Sequence, residues 1–117
     1  MRNVKIAAIQ MQCSTNLQTN LEKAEKMVRQ AAGDGAQIIL LPELFEREYF
    51  CQQRRYDFYH LAKPVEENDA VQMGMRLAKE LNVVLPISFY EQDINTLYNS
   101  IACIDADGTL SGVYRKT

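Results

Sequence analysis

Two charged residues stand where buried strands should have just ended. In the segment Gln37 to Glu46, QIILLPELFE, an apolar run meets Pro42 and then a carboxylate at Glu43. Near the other end, LSGVYRK delivers Lys116 directly after a second strand-like segment. A carboxylate just beyond the carboxyl end of a buried-type strand lies where open α/β sheets place their ligand crevices. A base there needs its charge managed by a nearby cation, and Lys116 is the other charged residue placed in the same way. Read from spacing alone, Glu43 equally suits the cap of a short helix after Pro42, and Lys116 a solvated strand end.

The remaining reactive side chains form no such pattern. Cys13, Cys51 and Cys103 are odd in number and far apart, without a nearby histidine, which fits neither a disulfide framework nor a zinc site. Cys103 falls within a strand and is expected in the core, whereas Cys51 is expected to pack in or near a pocket and is the cysteine closest in sequence to Glu43. His60 has no visible partner, and Arg54 with Arg55 suits a solvated face. Asp105, Asp107 and Gly108 imitate the start of a calcium loop, but the glycine comes too early and no acid closes the loop, so DADG reads as a turn.

The elements that must position Glu43 and Lys116 follow from periodicity. A strand is expected over Val4 to Met11, and a helix over Asn16 to Ala32, where Leu17, Leu21, Ala24, Val28 and Ala31 recur at helical spacing. Asn16 or Thr19 can cap that helix, Thr19 with Glu22 as a capping box, and Gly33 with Gly35 ends it. Ala36 to Leu41 reads as a short strand covered on both faces and paired in parallel with the first. Residues 43–67 read as a long loop or broken helix over a site. A second helix from about Asn68 to Leu81 shares the face Ala70, Val71, Gly74, Leu77, Ala78 and Leu81. VVLPISFYE follows as a strand, then a hairpin of Leu97 to Ile104 and Leu110 to Arg115 about the Asp107-Gly108 turn. The 117 residues thus read as one α/β unit without repeats or linkers.

Composition narrows the partners. Thirteen basic and fifteen acidic residues give a net charge of -2 with no block of one sign, which argues against nucleic acid. No apolar stretch is long enough to span a membrane, Lys5 and Gln10 interrupt the opening run, and the unpaired cysteines fit a reducing cytoplasmic setting.

The stretches KIAAIQM, GAQIILLPELF and LYNSIACIDADGTLSGVYRKT, with the order of elements between them, resemble the carbon-nitrogen hydrolase, or nitrilase, superfamily over the whole chain. LPELFEREYFCQ with the YNSI and DADG segments looks most like the N-carbamoylputrescine amidase branch, departing from it at Arg47-Glu48, where relatives carry glycine and an aromatic residue. The resemblance implies an α/β fold, the N-terminal part of a four-layer α-β-β-α sandwich, with residues 1–117 forming the N-terminal portion of one domain. It implies hydrolysis of N-carbamoylputrescine to putrescine, carbon dioxide and ammonia by a Glu-Lys-Cys triad, without metal or organic cofactor. Glu43 would be the base, Lys116 the oxyanion-stabilising cation and Tyr49 a substrate-pocket residue; the nucleophilic cysteine would lie beyond Thr117, leaving this chain inactive alone. The expected partner is a small N-carbamoyl amine, and a complete protein would form a homo-oligomer. Two other readings remain: an amidase for another small linear amide or N-carbamoyl compound, and a non-catalytic interaction module.

Overall fold

The computed structural model describes residues 2–46 and 62–116. Strand β1 (Ile6–Ala8) leads through helix α1 (Leu17–Gly33) to β2 (Ile38–Leu40), which pairs with β1 in parallel, Ile6 opposite Ile38. A 3-10 turn at Val65–Glu67 precedes α2 (Asp69–Leu81), and the antiparallel strands β3 (Leu85–Asp93), β4 (Thr96–Ile104) and β5 (Leu110–Arg115) complete the chain. A parallel bridge between Ile38 and Val84 joins the two sheets. A two-stranded sheet, β1-β2, thus meets a three-stranded sheet, β3-β4-β5, at the residue before β3. These are the elements expected from periodicity, with β1 and β2 shorter than their apolar runs.

Each helix begins where a side chain can satisfy its first free N–H groups. Asn16 accepts from the Thr19 amide at 2.9 Å, and Asn68 from the Val71 amide at 3.0 Å. Asn16, not Thr19, is thus the cap of α1, and Glu22 accepts from Gln18 one turn back instead of closing a capping box. After Gly33 the chain turns through Gly35, whose φ of +96° lies in the left-handed region that glycine enters without a side-chain clash.

Both helices cover the same face of the sheets. Ala24 and Val28 of α1 and Ala70, Val71, Leu77 and Ala78 of α2 pack with Ile39, Leu85, Ile87, Phe89, Ala102 and Ile104 in one core. Gly74 lets α2 approach closely, since a Cβ there would lie 2.7 Å from Ile87 Cγ1 and 2.8 Å from Ile104 Cδ1. The opposite sheet face is bare over its first two strands. Ile6 is 72% and Leu40 45% exposed, so β2 is covered on one face and not, as its continuous apolar run suggested, on both. Alternation also corrects the expectation for Cys103: its neighbours Ala102 and Ile104 turn into the core, which sends Cys103 outward, where it is exposed.

Candidate active site

Glu43 is aimed by the turn that follows β2, and that turn is fastened at several points. Leu44 adopts a left-handed backbone (φ +51°), so residues 43–46 form a turn and not the start of a helix. Such a conformation costs a non-glycine residue about 1–3 kcal/mol. Leu44 and Phe45 are almost wholly buried, and full burial of a side chain of this size contributes about 1.5–3 kcal/mol, enough together to offset the strain. They enter different clusters: Phe45 joins the helix-side core, and Leu44 packs with Ala62 and Tyr90. Polar ties complete the hold. The Leu44 amide donates to Ser88 Oγ on β3 at 2.9 Å, and buried Asn20 of α1 donates to the Glu46 carbonyl at 2.8 Å. Asn68, the cap of α2, reaches Glu46 Oε1 at 3.0 Å.

Lys116 arrives from the other end of the chain. β5 pairs with β4 up to Ser100 opposite Arg115, and the Lys116 amide then donates to the Asn99 carbonyl at 2.9 Å. One residue earlier, Arg115 binds the side chain of Glu91 on β3 through Nε at 2.9 Å and Nη2 at 3.1 Å, donates to Asp93 at 2.8 Å and lies 4.1 Å above the Tyr98 ring. Glu91 is buried, and Ser100 Oγ gives it a third hydrogen bond at 2.8 Å. Arg115 holds the Glu91 carboxyl below the usual glutamate range, against the opposing effect of burial and with help from Ser100. This cluster anchors the strand end that carries Lys116.

The two residues singled out from the sequence meet. Lys116 Nζ lies 3.0 Å from Glu43 Oε1, although 73 positions separate them. Asn99 Nδ2 donates to the same oxygen at 2.6 Å. Burial pushes the Glu43 carboxyl up, but hydrogen bonds from Lys116 and Asn99 and the ammonium charge outweigh it and hold the group below its ordinary value. Glu43 and Lys116 are 43% and 59% exposed, so the pair is accessible to a small molecule. They line a cavity of about 300 Å³ on the bare face of the sheet, with Asn99 beside them and Leu40, Ile101 and Tyr114 as apolar walls. Glu43 also borders a second depression, of about 600 Å³, beyond the carboxyl ends of β1 and β2, the position expected for a crevice in a parallel sheet.

Asn99 and Ser88 were not identified from the sequence. The YNSI motif offered a signal for Asn99, but assigning its contact requires the β3-β4-β5 register. Neither Cys13 nor Cys103 lines the cavity that holds Glu43 and Lys116. Asp107 spends its carboxylate on the Thr109 amide and hydroxyl, at 2.9 and 2.6 Å, which makes DADG the expected turn. Tyr49, Cys51 and His60, the arginines at 54 and 55, and the Arg47-Glu48 departure lie outside the described residues. Among the described residues no helix is long and apolar enough to cross a membrane.

Known proteins share this arrangement of elements. The chain superimposes on the crystal structure of a carbon-nitrogen hydrolase from Helicobacter pylori G27 with a TM-score of 0.87 and 25% identity, covering 97% of this chain and 39% of that one. In sequence it is 49% identical over 116 residues to an N-carbamoylputrescine amidase of Arabidopsis thaliana, and 47% identical over the same length to a citrullinase of Francisella tularensis. Those alignments cover 99% of this chain but 39% and 41% of the relatives, so it spans about two-fifths of the length of the curated proteins it matches. The family model for carbon-nitrogen hydrolases matches residues 5–117, and the chain belongs to that family.

Proposed function

We propose that residues 1–117 are the N-terminal portion of a single carbon-nitrogen hydrolase domain that hydrolyses N-carbamoylputrescine, with Glu43 as general base and Lys116 as the cation for the developing oxyanion. The contact between Lys116 Nζ and Glu43 Oε1, 3.0 Å apart at the edge of a cavity, carries this reading. A free carboxylate is too weak a base for a thiol in water. It acts when the site is enclosed and a cation stabilises the charge formed on the attacked carbonyl.

In the reaction Glu43 takes the proton of a cysteine thiol supplied from outside the described residues, and the sulfur attacks the ureido carbonyl. Lys116 stabilises the resulting oxyanion. The C–N bond to the putrescine nitrogen breaks as that nitrogen receives the proton from Glu43, which leaves a carbamoyl-thioenzyme. Water, deprotonated by Glu43, attacks the carbamoyl carbon; the C–S bond breaks, the cysteine sulfur recovers the proton from Glu43, and the carbamic acid released divides into carbon dioxide and ammonia. Tyr49 would line the substrate pocket, and a small N-carbamoyl amine is the partner this chemistry requires.

A second reading keeps the chemistry and changes the amine. The citrullinase relative is about as similar as the amidase relatives, and citrulline ends in the same ureido group. The test is ammonia release by the product of the complete reading frame containing these residues, on N-carbamoylputrescine, citrulline and a simple ω-amide. Preference for N-carbamoylputrescine is expected. Preference for citrulline would favour the second reading, and turnover of the ω-amide alone would refute both.

A further inference from the structure

Asn99 touches both members of the candidate site. Its side chain donates to Glu43 Oε1 at 2.6 Å, and its main-chain carbonyl accepts from the Lys116 amide at 2.9 Å. It lies on β4, opposite Tyr90 of β3 and one residue from the Ser100–Arg115 pair of β4 and β5, so it occupies the middle strand of the hairpin sheet. Middle strands are held on both edges, which makes Asn99 a rigid point between a turn on one side and a strand end on the other.

The two oxygens of Glu43 are not equivalent. Oε1 accepts from both Asn99 Nδ2 and Lys116 Nζ. Oε2 has no hydrogen-bond partner among the described residues. A carboxylate oxygen with two good donors has its lone pairs engaged in the plane of the group, and a proton arriving there must displace one of them. The other oxygen carries no such cost.

We propose that Asn99 is a positioning residue of this site: it dedicates Oε1 of Glu43 to binding, so that Oε2 is the oxygen that takes the proton from the nucleophile, and it fixes the carboxylate plane against Lys116. The inference rests on the proposed roles of Glu43 and Lys116 and adds to them which atom acts and what orients it. A planar amide on a strand paired at both edges permits the carboxylate few orientations.

The test uses Asn99→Ala and the isosteric Asn99→Asp in the product of the complete reading frame. The readouts are kcat/KM against pH and a ¹³C NMR titration of the Glu43 carboxyl. In Asn99→Ala the acidic limb and the Glu43 titration should both move to higher pH, because a donor to the charged form is lost, and kcat/KM at neutral pH should fall about tenfold. In Asn99→Asp a like charge replaces the donor, so both should move further upward. A merely structural role would lower the yield of active protein without moving the limb. Coincidence of limb and titration with the parent in both variants would overturn the proposal. So would a failure of both variants to fold, which would assign Asn99 to the fold and not to the site. The titration needs no turnover: if no ureido compound is hydrolysed, the substrate reading fails while Glu43 in the Asn99 variants still decides this inference.

Discussion

The Glu91–Arg115 pair gives a prediction whose size can be worked from its surroundings. Removing the partner of a fully buried ion costs about 3–5 kcal/mol, whereas an exposed pair is worth about 0–1 kcal/mol. This pair lies between those limits, because the Glu91 side chain is 6% exposed and that of Arg115 39%. Arg115→Met preserves much of the stem over Tyr98 but leaves the Glu91 carboxylate, among the described residues, with the Ser100 hydroxyl alone, and should cost about 2 kcal/mol. Glu91→Gln keeps an acceptor for Arg115 and should cost about 1 kcal/mol. The double variant Glu91→Leu with Arg115→Met removes both charges and should cost less than the sum of its single changes, by about 1–2 kcal/mol of coupling. Measured on the complete gene product by thermal and urea unfolding, Arg115→Met should lower Tm by about 4 °C for a domain of a few hundred residues. An Arg115→Met variant within about 0.5 kcal/mol of the parent, or a double variant that costs the full sum, would refute a stabilising Glu91–Arg115 coupling.

The exposed apolar row Val4, Ile6, Ile38, Leu40 and Tyr114 predicts that residues 1–117 produced alone associate in sedimentation velocity; a monodisperse monomer with a sharp calorimetric transition would contradict this. The carboxyls of Glu43 and Glu91 are both held below the ordinary glutamate value, so the stability they contribute is complete above about pH 4.3 and is lost as pH falls through their lower folded-state values. Tm should therefore decline below that point, less steeply in Glu91→Gln, and an unchanged acid slope in that variant would count against the assignment.

Much of the frame was legible because it is written locally. Asn16 was one of two cap candidates for the first helix, both helices carry apolar faces that recur at helical spacing, and Asp107-Gly108 turns a hairpin, all within a few residues of the positions concerned. Glu43 and Lys116 stood out because a charge directly after an apolar run conflicts with burial. What escaped depends on pairing between distant segments. The Asn99 amide meets Glu43 across 56 positions, and Glu91 finds Arg115 across 24, contacts that only the strand register creates. The left-handed backbone at Leu44 has no glycine to announce it; it is imposed by burial of Leu44 and Phe45 in different clusters. The exposure of Cys103 follows from which face each strand position takes, and an apolar composition alone does not distinguish the two faces.

If Glu43 and Lys116 act together as base and oxyanion cation, removing either must slow the chemical step. The decisive comparison is of kcat and KM for N-carbamoylputrescine in the complete gene product and in its Glu43→Gln and Lys116→Ala variants. Each variant should lose about a hundredfold or more in kcat with little change in KM, since in the proposed mechanism both groups act on charge that develops only in the transition state. Rates within about threefold of the parent in either correctly folded variant would rule out these roles for Glu43 and Lys116.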